Sequence, residues 1–421
     1  MEANSLRNAG KEIRLSRIID PEDGKAVVVA ADHGFMLGPI KGVVNLEETL
    51  IKVVEGRPDA VLLSPGQARR LNHLFKGRKA PALLVRADWT NAFRDKTYTL
   101  PARSIKRVAV ANAKGALSLG ASGIVTYYFI GHSEDETEAY NFQLTSIFAR
   151  ECEKLGLPFI VESLPFGERV TGANYAQLIS VGMRIAVEAG ADAIKTAYTG
   201  DVDSFRKAVS SAGVPVLVLG GAKARTLRDA LEVVEEALMA GGSGVVFGRQ
   251  VVQAEDPKTF VSSVRMVVHE GKSVRDIVSP YRGPVRLLVR AKNCVGCREC
   301  QAVCSFSHEG EISLKKSRIR VDVELPDKFM PFPCTLCGKC VDACPTQALT
   351  FNPELNYVEL IVERCIGPKG CRKCVASCPF KVVGWNDDAK NPFICDMCKG
   401  NPRCVEYCPT DALLTAPIKG V

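Results

Sequence analysis

The stretch VPVLVLGGAKARTLRDALEVVEEALMAGGSGVVFGR (214–249) reads as a strand, a helix and a second strand. Its ends, VPVLVLGG (214–221) and SGVVFGR (243–249), are nearly continuous apolar runs. That is the pattern of parallel strands buried on both faces. Between them, TLRDALEVVEEALMAGG (226–242) carries helical period. Working outward, the alternation repeats. Further strand-like runs are KAVVVAADHG (25–34), DAVLLSPG (59–66), ALLVRAD (82–88), GIVTYYF (123–129), PFIVES (158–163) and AIKTAYT (193–199), with helical segments such as NYAQLISVGMRIAVEAG (174–190) between them. Eight such units in about 250 residues predict a (β/α)8 TIM barrel over residues 1–275. The alternative is an open doubly wound sheet. The absence of a GxGxxG fingerprint after the first strand counts against it.

After a joint read as a linker (276–290), residues 291–421 change character to cysteine, proline and short segments. Of 17 cysteines, only Cys152 precedes position 294, and it reads as a core residue of a helix. The others fall in four runs: Cys294, Cys297, Cys300, Cys304; Cys334, Cys337, Cys340, Cys344; Cys365, Cys371, Cys374, Cys378; and Cys395, Cys398, Cys404, Cys408. Each run ends C-x2-C-x3-C or C-x5-C-x3-C. Three close thiolates wrap one face of an iron–sulfur cubane, and the fourth points away to ligate the other cluster of a pair. Zinc sites are built from two cysteine pairs and do not fit this grading. The expectation is a polyferredoxin-type α+β domain with four [4Fe–4S] clusters and no organic cofactor. Spacing alone leaves three pairings of the runs open.

The formal charge is +8. Four clusters with four thiolates each would add about −8, so the charge does not imply nucleic acid, and no basic block or RNP-like signature is present. No apolar run is long enough to span a membrane. The start, MEANSLRNAGKEIRL, has no apolar signal-like core, so the sequence predicts a cytoplasmic protein.

Function in a barrel of this kind gathers at the C-terminal strand ends. Those ends supply Asp32, Arg86, Asp88, Tyr127, Glu162, Lys195, Gly220, Gly221, Gly248 and Arg249. Lys195 stands out because AIKTAYT surrounds it with apolar neighbours. Burial disfavours its charged form, and a neutral amine condenses with a carbonyl to a Schiff base. The structural alternative is a lysine that snorkels or pairs with Asp32.

RLSRI (14–18), DHG (32–34), GPIKG (38–42), KTAYTGDVDSFR (195–206), LGGAK (219–223) and GRQVVQAEDP (248–257) resemble the archaeal-type class I fructose-bisphosphate aldolases. They resemble still more closely the 2-amino-3,7-dideoxy-D-threo-hept-6-ulosonate synthases. The resemblance implies that Lys195 is the Schiff-base lysine, that Asp32 handles protons beside it, and that Gly220, Gly221, Gly248 and Arg249 bind phosphate. It also implies a homo-oligomer. One departure matters. Where the family has Tyr-Pro-Arg-Gly, this chain has Leu164, Pro165, Phe166 and Gly167, so the family's acid/base tyrosine is missing. Glu162, Tyr127 and Tyr128 are candidate replacements, and His33 is a further candidate. RADWTN (86–91) also departs, which argues against fructose bisphosphate itself as substrate.

CVGCRECQAVCSFSHEG (294–310), SRIRVDVE (317–324) and CTLCGKCVDACPTQAL (334–349) resemble the polyferredoxin beta subunits of molybdenum and tungsten oxidoreductases. That resemblance implies pairing of the first run with the fourth and of the second with the third, and a redox partner that is an oxidoreductase catalytic subunit. The combined expectation is an aldolase or transaldolase acting on a small, phosphorylated sugar or keto compound, fused to an electron carrier. The alternative is an electron-transfer protein whose barrel only binds a ligand.

Overall fold

The computed structural model describes residues 2–220, 226–278, 285–324, 328–352 and 356–417. The chain forms two compact units, Met1–Val278 and Ser279–Val421.

The first unit is a closed parallel barrel. Its strands are β1 (Ala26–Ala30), β2 (Ala60–Leu63), β3 (Ala82–Arg86), β4 (Gly123–Ile130), β5 (Phe159–Pro165), β6 (Ala193–Ala197), β7 (Val216–Leu219) and β8 (Gly244–Phe247). Each pairs with its neighbour in chain order, and β8 returns to β1 with Ala26 opposite Gly244. The closing seam needs glycine. Gly244 has φ +115°, and a Cβ there would lie 2.0 Å from the Ala26 carbonyl oxygen.

Side chains alternate in and out of the barrel with period two. Val27, Val29, Val61, Leu83, Ile194 and Val218 face outward into the layer shared with the helices. Val28, Leu62, Leu84, Val125, Ile160, Leu217 and Val246 face inward and fill the barrel's lower interior with Ile18 and Ile19. Each such buried aliphatic contributes roughly 1.5–3 kcal/mol. The helices start with local caps. Asp201 accepts from the Ser204 amide, Thr226 and Asp229 form a capping box, and Asp256 precedes Pro257 and accepts from the Lys258 and Thr259 amides.

The second unit consists of short antiparallel pairs and single-turn helices. Residues 285–289, read from sequence as part of a linker, are instead a strand. Val285–Val289 pairs with Leu413–Pro417, so the first and last described strands of this unit close on each other. The unit's apolar cores are small. One joins Ile319, Val321 and Leu413 to Cys300, Cys304 and Cys404, and another joins Leu349, Val358 and Val383 to Cys340, Cys344, Cys374 and Cys378.

Candidate functional site

Period two also builds the site. One step above the apolar interior layer, the inward positions change chemistry. Ala30 is followed by Asp32, Leu84 by Arg86, Val125 by Tyr127, Ile160 by Glu162 and Ala193 by Lys195. Strand register aligns three of them in a row, with Tyr127 opposite Glu162 and Glu162 opposite Lys195. All five are buried.

Arg86 is the hub. Its Nε donates to Asp32 Oδ2 at 2.7 Å and its Nη2 to Glu162 Oε2 at 2.5 Å. Its guanidinium lies 3.9 Å from the Tyr127 ring centroid. Lys195 Nζ pairs with the same Glu162 Oε2 at 2.8 Å. The lysine's partner is thus Glu162 rather than Asp32, and the amine is ion-paired rather than bare. Burial alone would raise the Glu162 carboxyl, but Lys195 and Arg86 outweigh it and hold it below the usual carboxylate range. Asp32 behaves alike. Burial raises it, and Arg86, His33 and Lys195 bring it down. Burial pushes the Tyr127 phenol far up, so it stays protonated. Burial lowers His33, whose imidazole is therefore neutral near pH 7.

These groups line a cavity of ≈ 380 Å³ with Met36, Phe93, Leu164, Phe166, Gly220, Gly248 and Arg249. The structure therefore brings Asp32, Tyr127, Glu162, Lys195, Gly220, Gly248 and Arg249 to one chamber, while Gly221 lies outside the described residues. Tyr128 faces the other side of β4 and does not line the cavity. The His33 ring packs closely on Gly248, where a Cβ would sit 2.2 Å from His33 Cε1. Leu164 and Phe166 put an apolar wall where a tyrosine and an arginine were expected from the resemblance.

Arg86 was not singled out from sequence beyond its place at a strand end. The signal that could have found it is its position two residues after inward-facing Leu84. Asp88 supports the row from behind, accepting from Arg107 Nε at 2.6 Å and from the Tyr127 amide at 2.8 Å. Trp89 Nε1 donates to the Phe35 carbonyl at 3.0 Å, tying the RADWTN segment to the loop after β1.

In the second unit the thiols gather across the runs. Cys294, Cys297 and Cys408 act electrostatically on Cys300, which burial pushes up to about 12. Cys304, Cys334, Cys395, Cys398 and Cys404 line one small cavity, and Cys344, Cys365, Cys371 and Cys374 line another. Cys334 and Cys337 act on Cys340, and Cys378 packs in the same small core as Cys340. No disulfide forms among them. Thiols crowded in fours, with Cys300, Cys340, Cys374, Cys398 and Cys404 raised by burial, suit a polynuclear cation that takes their charge. The residues therefore fit iron–sulfur clusters.

Comparison with known proteins agrees. Residues 26–254, more than half the chain, match the DeoC/LacD family aldolase. Residues 293–349 and 333–382 match 4Fe-4S dicluster domains. The chain is 35% identical over 266 residues to an uncharacterised aldolase of Saccharolobus solfataricus, covering 63% of this chain and 96% of that one. It is 32% identical to the 2-amino-3,7-dideoxy-D-threo-hept-6-ulosonate synthase of Halobacterium salinarum, covering 63% and 94%. A solved Schiff-base-forming fructose-1,6-bisphosphate aldolase superposes with a TM-score of 0.53 at 30% identity, over 62% of this chain and all of that one. The chain belongs to the DeoC/LacD aldolase family, as an aldolase of the archaeal class I type joined to a 4Fe-4S ferredoxin region.

Proposed function

We propose that the barrel makes or breaks a carbon–carbon bond in a small carbonyl compound through an imine on Lys195. The carrying observation is the pairing of Lys195 with Glu162 in the wall of a cavity roomy enough for a metabolite. Glu162 takes the proton that the amine must give up, and the amine then adds to the carbonyl carbon with loss of water. The iminium withdraws electrons from the adjacent carbon, so a C–C bond there cleaves to, or forms from, an enamine. Tyr127 supplies a phenolic proton in place of the family tyrosine, whose position Leu164 holds. Asp32 balances the positive charge of Arg86 beside the imine. Gly220, Gly248 and Arg249, in the lining of the same cavity, form the phosphate end of the site, where bare backbone approaches an anion closely and a guanidinium can chelate it.

The cysteines are assigned to four clusters: Cys294, Cys297, Cys300 with Cys408; Cys395, Cys398, Cys404 with Cys304; Cys334, Cys337, Cys340 with Cys378; and Cys365, Cys371, Cys374 with Cys344. Bound clusters supply one-electron transfer. Cys334 and Cys395 line the same small cavity, which brings the two pairs of sites together. An electron can therefore pass along the whole unit to a partner oxidoreductase that oxidises or reduces the aldehyde or ketone handled by the barrel.

Borohydride reduction in the presence of a panel of aldehydes and ketones tests the barrel. The expected result is a mass adduct on Lys195, absent in Lys195→Ala. A panel that yields no adduct favours the second reading, a ligand-binding barrel attached to an electron carrier, which the apolar Leu164 and Phe166 wall supports.

A further inference from the structure

Arg86 holds an unanswered donor. Nε and Nη2 are taken by Asp32 and Glu162, but buried Nη1 has no hydrogen-bond partner. A buried guanidinium donor is costly to leave unpaired. The Tyr127 ring under its flat face fixes the fork in place. Arg86 Nη2 and Lys195 Nζ also share one carboxylate oxygen, Glu162 Oε2. Both nitrogens are thus one hydrogen bond from the same atom.

We propose that Arg86 selects a 2-oxo acid as the ketone that condenses with Lys195. The inference rests on the imine reading above and deepens it. Once Lys195 is joined to the former carbonyl carbon, a carboxylate on that carbon lies between the imine nitrogen and the guanidinium. A planar carboxylate suits a rigid guanidinium fork, and Nη1 supplies the bond that is now missing. The other walls agree. Phe93, Leu164 and Phe166 make one wall apolar, which suits a methyl or methylene as the carbon that becomes nucleophilic. The step balances without a redox partner. The amine displaces the carbonyl oxygen as water, a C3 proton passes to Glu162 to give the enamine, and the enamine carbon bonds to an aldehyde carbon whose oxygen takes that proton back. Water then releases the lengthened 2-oxo acid and restores the amine. The carboxylate stays ionised throughout.

The test compares pyruvate with hydroxyacetone, which replaces the carboxylate by a neutral hydroxymethyl group at the same carbon count. Full-length protein is trapped with borohydride and the Lys195 adduct is read by intact mass. Wild type is expected to trap pyruvate about tenfold or more better at equal concentration. In Arg86→Gln the ratio is expected to fall towards one, with Arg86→Lys between. The Lys variant keeps the buried charge and carries the test if the Gln variant does not fold. A purely structural arginine would lower both adducts together and leave the ratio unchanged, which overturns the proposal. Equal or better trapping of hydroxyacetone by wild type also overturns it while leaving the imine reading intact. No adduct with either ketone, or with the wider panel, removes both.

Discussion

At the scale of single residues, the site depends on four buried charges that are mutually compensated. Asp32 and Glu162 answer Arg86 and Lys195. Replacing Glu162 by Gln leaves two cations facing one anion, and breaking a buried pair in this way costs about 3–5 kcal/mol. The variant is expected to unfold at lower urea and, where folded, to form the borohydride-trappable adduct about 10²- to 10⁴-fold more slowly, since the proton acceptor is gone. Urea midpoints and single-turnover trapping separate the two effects. The pH dependence has a definite sign. Both carboxyls lie below their usual range, so their stabilisation is full above the unfolded values near 4 and is lost as pH falls through the folded ones. His33, also lowered, removes stability from about pH 6.5 downward until it protonates in the folded state. A urea midpoint that rose between pH 6 and pH 3 would contradict this arrangement. Lys195, Asp32, Glu162 and Tyr127 were legible in the sequence because each interrupts an apolar strand at its C-terminal end. The Lys195–Glu162 pair was not, because it comes from the register of β5 against β6, which no single strand encodes.

At the scale of elements, glycines set how closely loops approach the strand ends. Gly42 has φ +84°, and a Cβ there would lie 1.9 Å from the Val252 carbonyl oxygen. The backbone of the GPIKG loop therefore rests directly on the chain that follows Arg249. Gly42→Ala combines a clash against backbone with a disfavoured dihedral, and is expected to cost about 1–3 kcal/mol. Gly248→Ala meets the His33 ring instead, which can turn aside. It should leave the melting temperature closer to wild type and weaken retention of phosphorylated substrates, seen as a rise in KM larger than the fall in kcat. Equal effects of the two substitutions on melting would argue against this division between backbone and side-chain contact. The eight strands could be read from sequence because buried parallel strands are continuous apolar runs. The strand at 285–289 could not. Its sequence, VRLLV, leaves the apolar Leu288 and Val289 exposed beside Arg286, so it carries no clean alternation, and it is defined by a partner more than a hundred residues away.

At the scale of the whole molecule, the two units have different sources of stability. The barrel has a large aliphatic core in two layers. The second unit has small apolar groups in which cysteines themselves are members, so its folding is expected to depend on metal far more than the barrel's does. Anaerobic removal of iron by a chelator should expose residues beyond 285 to protease while the barrel's helical circular dichroism persists. The crossing of ligands between runs allows a sharper test. Cys408 is last in its own run, yet it acts electrostatically on Cys300 and packs in the core that joins Cys294, Cys300 and Cys304 to Cys404. Cys408→Ser is therefore expected to disturb the cluster held by the first run, Cys294, Cys297 and Cys300, and not the one held by Cys395, Cys398 and Cys404. The variant should lose about one cluster's iron, or give one cluster with three irons. Its altered electron paramagnetic resonance signal should match that of Cys297→Ser and differ from that of Cys398→Ser. A match to Cys398→Ser would mean that Cys408 closes on its own run's cluster, and the exchange of fourth ligands between the first and fourth runs would have to be given up.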